Sequence, residues 1–194
     1  MREAGIGRIL VASLHQAIAD ILPMRLAFYE SWLTAEGLRD GTIGLAPLYA
    51  VLSFLRQEGD AYQRIATRAG EYAADWTVQG MSPLRRSLIT ASPRWLRGRL
   101  VLGVAGRLVR GTFRRSRLVW RVRRGTAHLD VRASPFCDVR DPVTEHLCGF
   151  YAAALSRLLS LFGLEAPIAV VACRGTGHSA CLMEIPLSTG STAP

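Results

Sequence analysis

Through the first eighty residues apolar positions return every three or four residues. Ile6, Ile9, Leu10, Leu14, Ala17, Ile18 and Ile21 predict a first helix, which Pro23 ends. A second segment, Met24 to Leu38, contains Phe28, Tyr29 and Trp32, stops at Gly37 and leads into a turn over Arg39 to Gly44. Pro47 opens a third helix with Leu48, Val51, Leu52 and Leu55 as its buried stripe, and Gly59-Asp60 breaks it. In a fourth, Tyr62 to Val78, one face carries Ile65, Ala69, Tyr72, Ala73 and Trp76. From Met81 to Thr112 the period stays helical and predicts two more helices, with Pro83 and Pro93 in their first turns and Ser82 and Ser92 as candidate caps.

After Thr112 the period changes to two. Arg117 to Val122 sets Leu118, Trp120 and Val122 against Val119 and Arg121, Arg124-Gly125 turns, and His128 to Arg132 alternates again, which predicts a β-hairpin. Asp141-Pro142, with Glu145 behind it, has the form of a helix start, and Leu147, Phe150, Tyr151, Ala154, Leu155, Leu158, Leu159 and Phe162 carry that helix to Gly163 with one long face against a sheet. Two apolar runs, Pro167 to Cys173 and Ala180 to Leu187, flank a glycine-rich connection and predict a second hairpin; Ser188 to Pro194 is expected to fray. The expected fold is α+β in a single domain over 1–194. A mainly helical part, 1–112, packs with a four-stranded antiparallel sheet made of two hairpins separated by a long helix, 113–187.

Composition narrows the class. At 49% apolar and 20% charged, the chain is neither disordered nor low-complexity. No apolar stretch approaches the roughly 20 residues of a spanning helix, and Arg8, His15 and Asp20 interrupt any signal-peptide core, so a cytoplasmic chain is expected. The net charge of +9 is carried entirely by Arg, with no Lys, and thirteen of the 24 Arg fall between Arg85 and Arg124 without one acidic residue. Such a segment can be a solvated face or a lid over a pocket. It can also dock on a membrane surface or a protein partner, since an amphipathic basic helix satisfies apolar and charged groups together at lipid headgroups. Nucleic acid is disfavoured, because the tract lacks interleaved aromatics and no DNA-reading motif accompanies it.

The candidate chemistry lies in the cysteines. Cys148 falls in the second turn of the predicted long helix, and Cys173 and Cys181 flank the second hairpin turn as C-x3-G-x3-C around Gly177. A hairpin sets the end of one strand beside the start of the next, so Cys173 and Cys181 can converge. If the helix brings Cys148 to the same corner, three soft ligands meet as zinc prefers. The same residues also suit buried free thiols or a disulfide.

The segment from Cys137 through Ile185, with Cys148-Gly149-Phe150 opening an apolar helix and C-x3-G-x3-C preceding Leu182-Met183-Glu184-Ile185, resembles the 4-vinyl reductase domain. That family is related to the transport-protein-particle fold and includes hydrocarbon-binding proteins and the aromatic-sensing domains of bacterial activators. The resemblance covers about the last quarter of the chain. It implies a small-molecule binding domain, a homodimer and a structural zinc held by Cys148, Cys173 and Cys181. Val170 stands where the family's sensors have a ligating Glu, so the fourth ligand falls to Cys137 first, with His178 and His146 as alternatives.

The ligand implied is apolar or aromatic, an acyl chain or a tetrapyrrole, and Trp76, Trp95, Trp120 and Phe150 are candidate pocket walls. The chain would act as a carrier, sensor or adaptor. The alternative is an interaction protein docking through Arg85 to Arg124 on a membrane or partner. An accessory or reductase role in bacteriochlorophyll biosynthesis ranks lower: no G-x-G-x-x-G follows a strand, no P-loop or H-E-x-x-H occurs, and independent catalysis is not expected.

Overall fold

The computed structural model describes residues 5–33 and 44–187. The predicted stop at Gly37, the turn before Gly44 and the tail from Ser188 lie outside the described residues. Seven helices and four strands are described: α1 (Arg8–Ile21), α2 (Leu26–Glu30), α3 (Leu45–Arg56), α4 (Asp60–Gln79), α5 (Pro83–Ala91), α6 (Arg94–Thr112), β1 (Arg117–Arg123), β2 (Thr126–Arg132), α7 (Gly149–Leu161), β3 (Ala169–Ala172) and β4 (Leu182–Pro186). The expected α+β class and its two hairpins are therefore present. No single helix among the described residues is long and apolar enough to cross a membrane.

Helix α4 is central because its buried side is made of small residues. Ala66, Ala69, Gly70, Ala73 and Ala74 let α1 and α7 approach closely, and α4 with α7 forms the most extensive helix pair. A Cβ on Gly70 would lie 2.2 Å from the Phe150 carbonyl oxygen. Tyr72 and Trp76 sit at the edge of this face, half-buried and stacked on each other with centroids 5.5 Å apart. The start of α1 is pinned to the end of α6, where the Gly7 N–H donates to the Thr112 carbonyl at 2.9 Å.

The sheet order is β1-β2-β4-β3, all antiparallel, so the hairpins join edge to edge through β2 and β4. The two-residue turn of the first uses Arg124 and Gly125, both at positive φ (49° and 79°), as hairpin twist requires. Ala127, Leu129, Val131, Met183 and Ile185 form the inner face and belong to the same core as the helices.

Three local expectations are corrected. Helix α7 begins at Gly149, not at Pro142, because residues 141–148 are drawn onto the second hairpin: the Val143 N–H donates to the Gly175 carbonyl at 2.8 Å. It packs chiefly on α4 rather than on the sheet, since Gly70 admits its backbone. Pro93 itself occupies the cap position of α6, and the Ser92 carbonyl instead accepts from the Arg97 guanidinium at 2.9 and 3.1 Å.

Candidate metal centre

The four cysteines come from four chain breaks. Cys137 ends a 3-10 turn (Pro135–Cys137) that follows β2, and Cys148 is the cap of α7 rather than a residue of its second turn. Cys173 stands between β3 and a 3-10 turn (Arg174–Thr176), and Cys181 immediately precedes β4. The connection between these last two is compact. Thr176 and His178 N–H groups donate to the Cys173 carbonyl at 3.1 and 3.2 Å, and Gly177 turns the chain at φ 88°. Gly175 must be small here, since a Cβ would meet the Leu147 side chain at 2.7 Å.

All four thiols are buried, free and within 4.8 Å of one another. Sulfur separations are 3.4 Å for Cys137 and Cys148, 3.6 Å for Cys137 and Cys173, and 3.3 Å for Cys148 and Cys173. Four thiolates bound tetrahedrally at about 2.3 Å from zinc stand about 3.8 Å apart, a spacing that lies between the 3.3–3.6 Å of the Cys137, Cys148 and Cys173 sulfurs and the 4.8 Å bound on the whole set. Sulfurs this close leave no room for the bridging sulfides of an iron–sulfur cluster, and the donor set fits a single thiophilic metal.

The backbone is arranged for thiolate. The Leu147 N–H donates to the Cys173 sulfur at 3.3 Å, and the Arg174 N–H to the Cys181 sulfur at 3.4 Å. Hydrogen bonds from the neighbouring thiols, then these backbone donors, hold Cys173 and Cys181 below the usual thiol range. Cys148 is pushed up, first by the Cys137 thiol, and Cys137 is also raised by the crowding of Cys173 and Cys181 and by burial, although its contact with Cys148 acts the other way. Four thiols in one buried spot cannot all ionise without a cation, and a dication would let all four do so.

Tyr62, which the sequence did not single out, stands near the cluster, with Arg56 beside it. Tyr62, in the first turn of α4, is buried; burial, and then its proximity to Cys137, Cys148 and Cys173, push its hydroxyl up, while Arg56 opposes the shift. Among the described residues neither the buried Tyr62 hydroxyl nor the buried Arg56 Nη1 has a hydrogen-bond partner. A hydroxyl donor beside the thiols suits a centre in which four thiolates exceed the charge of one dication. Helical spacing from Ile65 could have put Tyr62 in the core, but no sequence signal places it beside the thiols.

The cluster includes Cys137 and excludes His146 and His178, whose side chains are exposed. Val170 is paired with Met183 in the sheet. The four aromatic candidates do not converge: Trp76 stacks on Tyr72, Trp95 is 69% exposed, Trp120 is half-buried on β1, and Phe150 is core, stacked on Phe136 at 4.7 Å. A pocket of about 280 Å³ does open beside Cys137, walled by Leu45, Tyr49, Phe113, Arg115, Asp138 and Arg174. No protein-family model matches the chain, and no curated protein matches it.

Proposed function

We propose that this chain is a zinc-stapled small-molecule binding domain of the 4-vinyl-reductase kind, acting as a carrier, sensor or adaptor without catalysis of its own. The carrying observation is the set of four buried thiols within 4.8 Å of one another. Zinc suits an all-thiolate tetrahedral set and needs no redox partner. With four protein ligands no position remains for a reactive water, so the metal's role is structural. The ligand site is the pocket beside Cys137, in which Leu45 and Phe113 offer apolar wall and Arg115 and Arg174 offer positive charge. Its volume of about 280 Å³ suits a small aromatic acid or phenol and is too small for a whole tetrapyrrole.

Native mass spectrometry of protein purified without added metal, beside its denatured mass and a thiol count, tests both parts. The expected result is one zinc per chain, colourless protein, and thiols unreactive until the fold is opened. A bare native mass with four freely titrating thiols excludes the metal. A zinc-loaded protein that neither carries an organic species nor responds to phenol or benzoate in a fluorescence titration keeps the staple and excludes the pocket as a ligand site.

A further inference from the structure

Helix α5 buries only one side chain, Ile89. Leu84 and Leu88 lie one turn apart on the same helix face and are 72% and 62% exposed. Just past the Ser92-Pro93 corner, Trp95 is 69% exposed, and along the outer side of α6 Arg99, Leu100, Gly103, Arg107 and Arg110 face solvent. Among the described residues none of the thirteen Arg from 85 to 124 pairs with a carboxylate; the arginine ion pairs engage Arg25, Arg68, Arg132 and Arg157 instead. Arg97 is used locally, bracing the corner through the Ser92 and Phe162 carbonyls.

Large apolar side chains projecting from a surface that is otherwise basic have two unmet needs, removal from water and a counter-charge. The headgroup region of an anionic bilayer meets both at once. Nucleic acid would meet only the second and leave Leu84 and Leu88 in water. We propose that α5 and the first turns of α6 are a docking surface for anionic lipid membranes. Leu84, Leu88 and Trp95 enter the boundary between headgroups and acyl chains, and Arg85, Arg94 and Arg99 meet the lipid phosphates, whereas Arg86 points back toward the Ile89 side with its Nε buried.

Flotation of the full chain with vesicles of phosphatidylcholine alone, and of phosphatidylcholine mixed with phosphatidylserine, tests this. The protein is expected on the mixed vesicles only, with binding that weakens as salt rises. Replacing Arg94 and Arg99 by Gln should weaken it about fivefold per charge. Leu84→Ser with Leu88→Ser, an exposed pair whose change leaves the fold intact, should weaken it at least about tenfold. Trp95→Phe should remove a lipid-induced blue shift from the fluorescence. The proposal is overturned if anionic vesicles are not bound, if both vesicle types bind alike, or if the double Ser variant binds like the parent. It is equally overturned if that variant's main effect is to dissociate an oligomer, since the patch is then an interface between copies. None of these outcomes depends on whether zinc is present.

Discussion

The four sulfurs differ in what the chain does around them. Cys173 and Cys181 each accept a backbone N–H, whereas among the described residues Cys137 and Cys148 have only sulfur partners. Zinc binding energy in such a site is folding energy, and three thiolates do not retain it. Cys148→Ala or Cys181→Ala is therefore expected to lose the metal and about 4 kcal/mol or more, which for a chain of this size lowers Tm by roughly 10 °C or more. His146→Ala and His178→Ala should leave zinc content and Tm unchanged, because both imidazoles are exposed and outside the cluster. If the thiols were only packed side chains, each Cys→Ala would cost about 1 kcal/mol and both variants would melt within a few degrees of the parent. At this scale the sequence was informative in one way: C-x3-G-x3-C brackets a hairpin turn, so the meeting of Cys173 and Cys181 could be read from local chemistry. That Cys137 completes the set could only be ranked among alternatives. The role of Tyr62 depends on tertiary placement and leaves no sequence trace.

Elements were legible where a period ran unbroken. The alternation of Leu118, Trp120 and Val122 and the Arg124-Gly125 turn specify β1 and β2, and Pro83 fixes the start of α5. The start of α7 was not legible, because Asp141-Pro142 is a strong local helix signal that is overruled by the Val143 and Leu147 N–H groups bonding to the second hairpin. Nor was the pairing of β2 with β4, which joins strands separated by a whole helix. The buried face of α7 is likewise only half legible: its apolar stripe shows that it packs, whereas the missing side chain at Gly70 decides that it packs on α4. Gly70→Ala tests that contact. Alanine is the better helix former, so an exposed Gly→Ala change would stabilise α4 by up to about 1 kcal/mol. Here the new Cβ would stand 2.2 Å from a backbone oxygen of α7, and the helices must separate. The expected net effect is destabilisation by about 1–3 kcal/mol in denaturant unfolding, and a variant as stable as the parent would mean that α4 and α7 do not meet at this residue.

Across the whole molecule the four clustered thiols are confined to the second half of the chain, yet α7 packs against α4 and so links them to the first. One ion would join the turn after β2, the cap of α7 and both ends of the β3–β4 connection, closing nested loops. Helices α1 and α4 supply no ligand, and they pack on each other through Leu10, Leu14, Ile18, Ile65 and Ala69 within the same core that the thiols join. Stripping the metal with a strong chelator should then loosen the molecule in a defined order. Amide exchange is expected to rise first in residues 134–149 and 173–182, while α1 and α4 stay protected. The four thiols should become reactive together rather than one at a time, since loss of one ligand releases the rest. Exchange that rises equally in α1 would mean that the centre holds up the entire core through the α4 and α7 contact. Exchange unchanged everywhere would mean that sulfur packing alone keeps these segments closed, and the zinc staple would then be unnecessary to the fold.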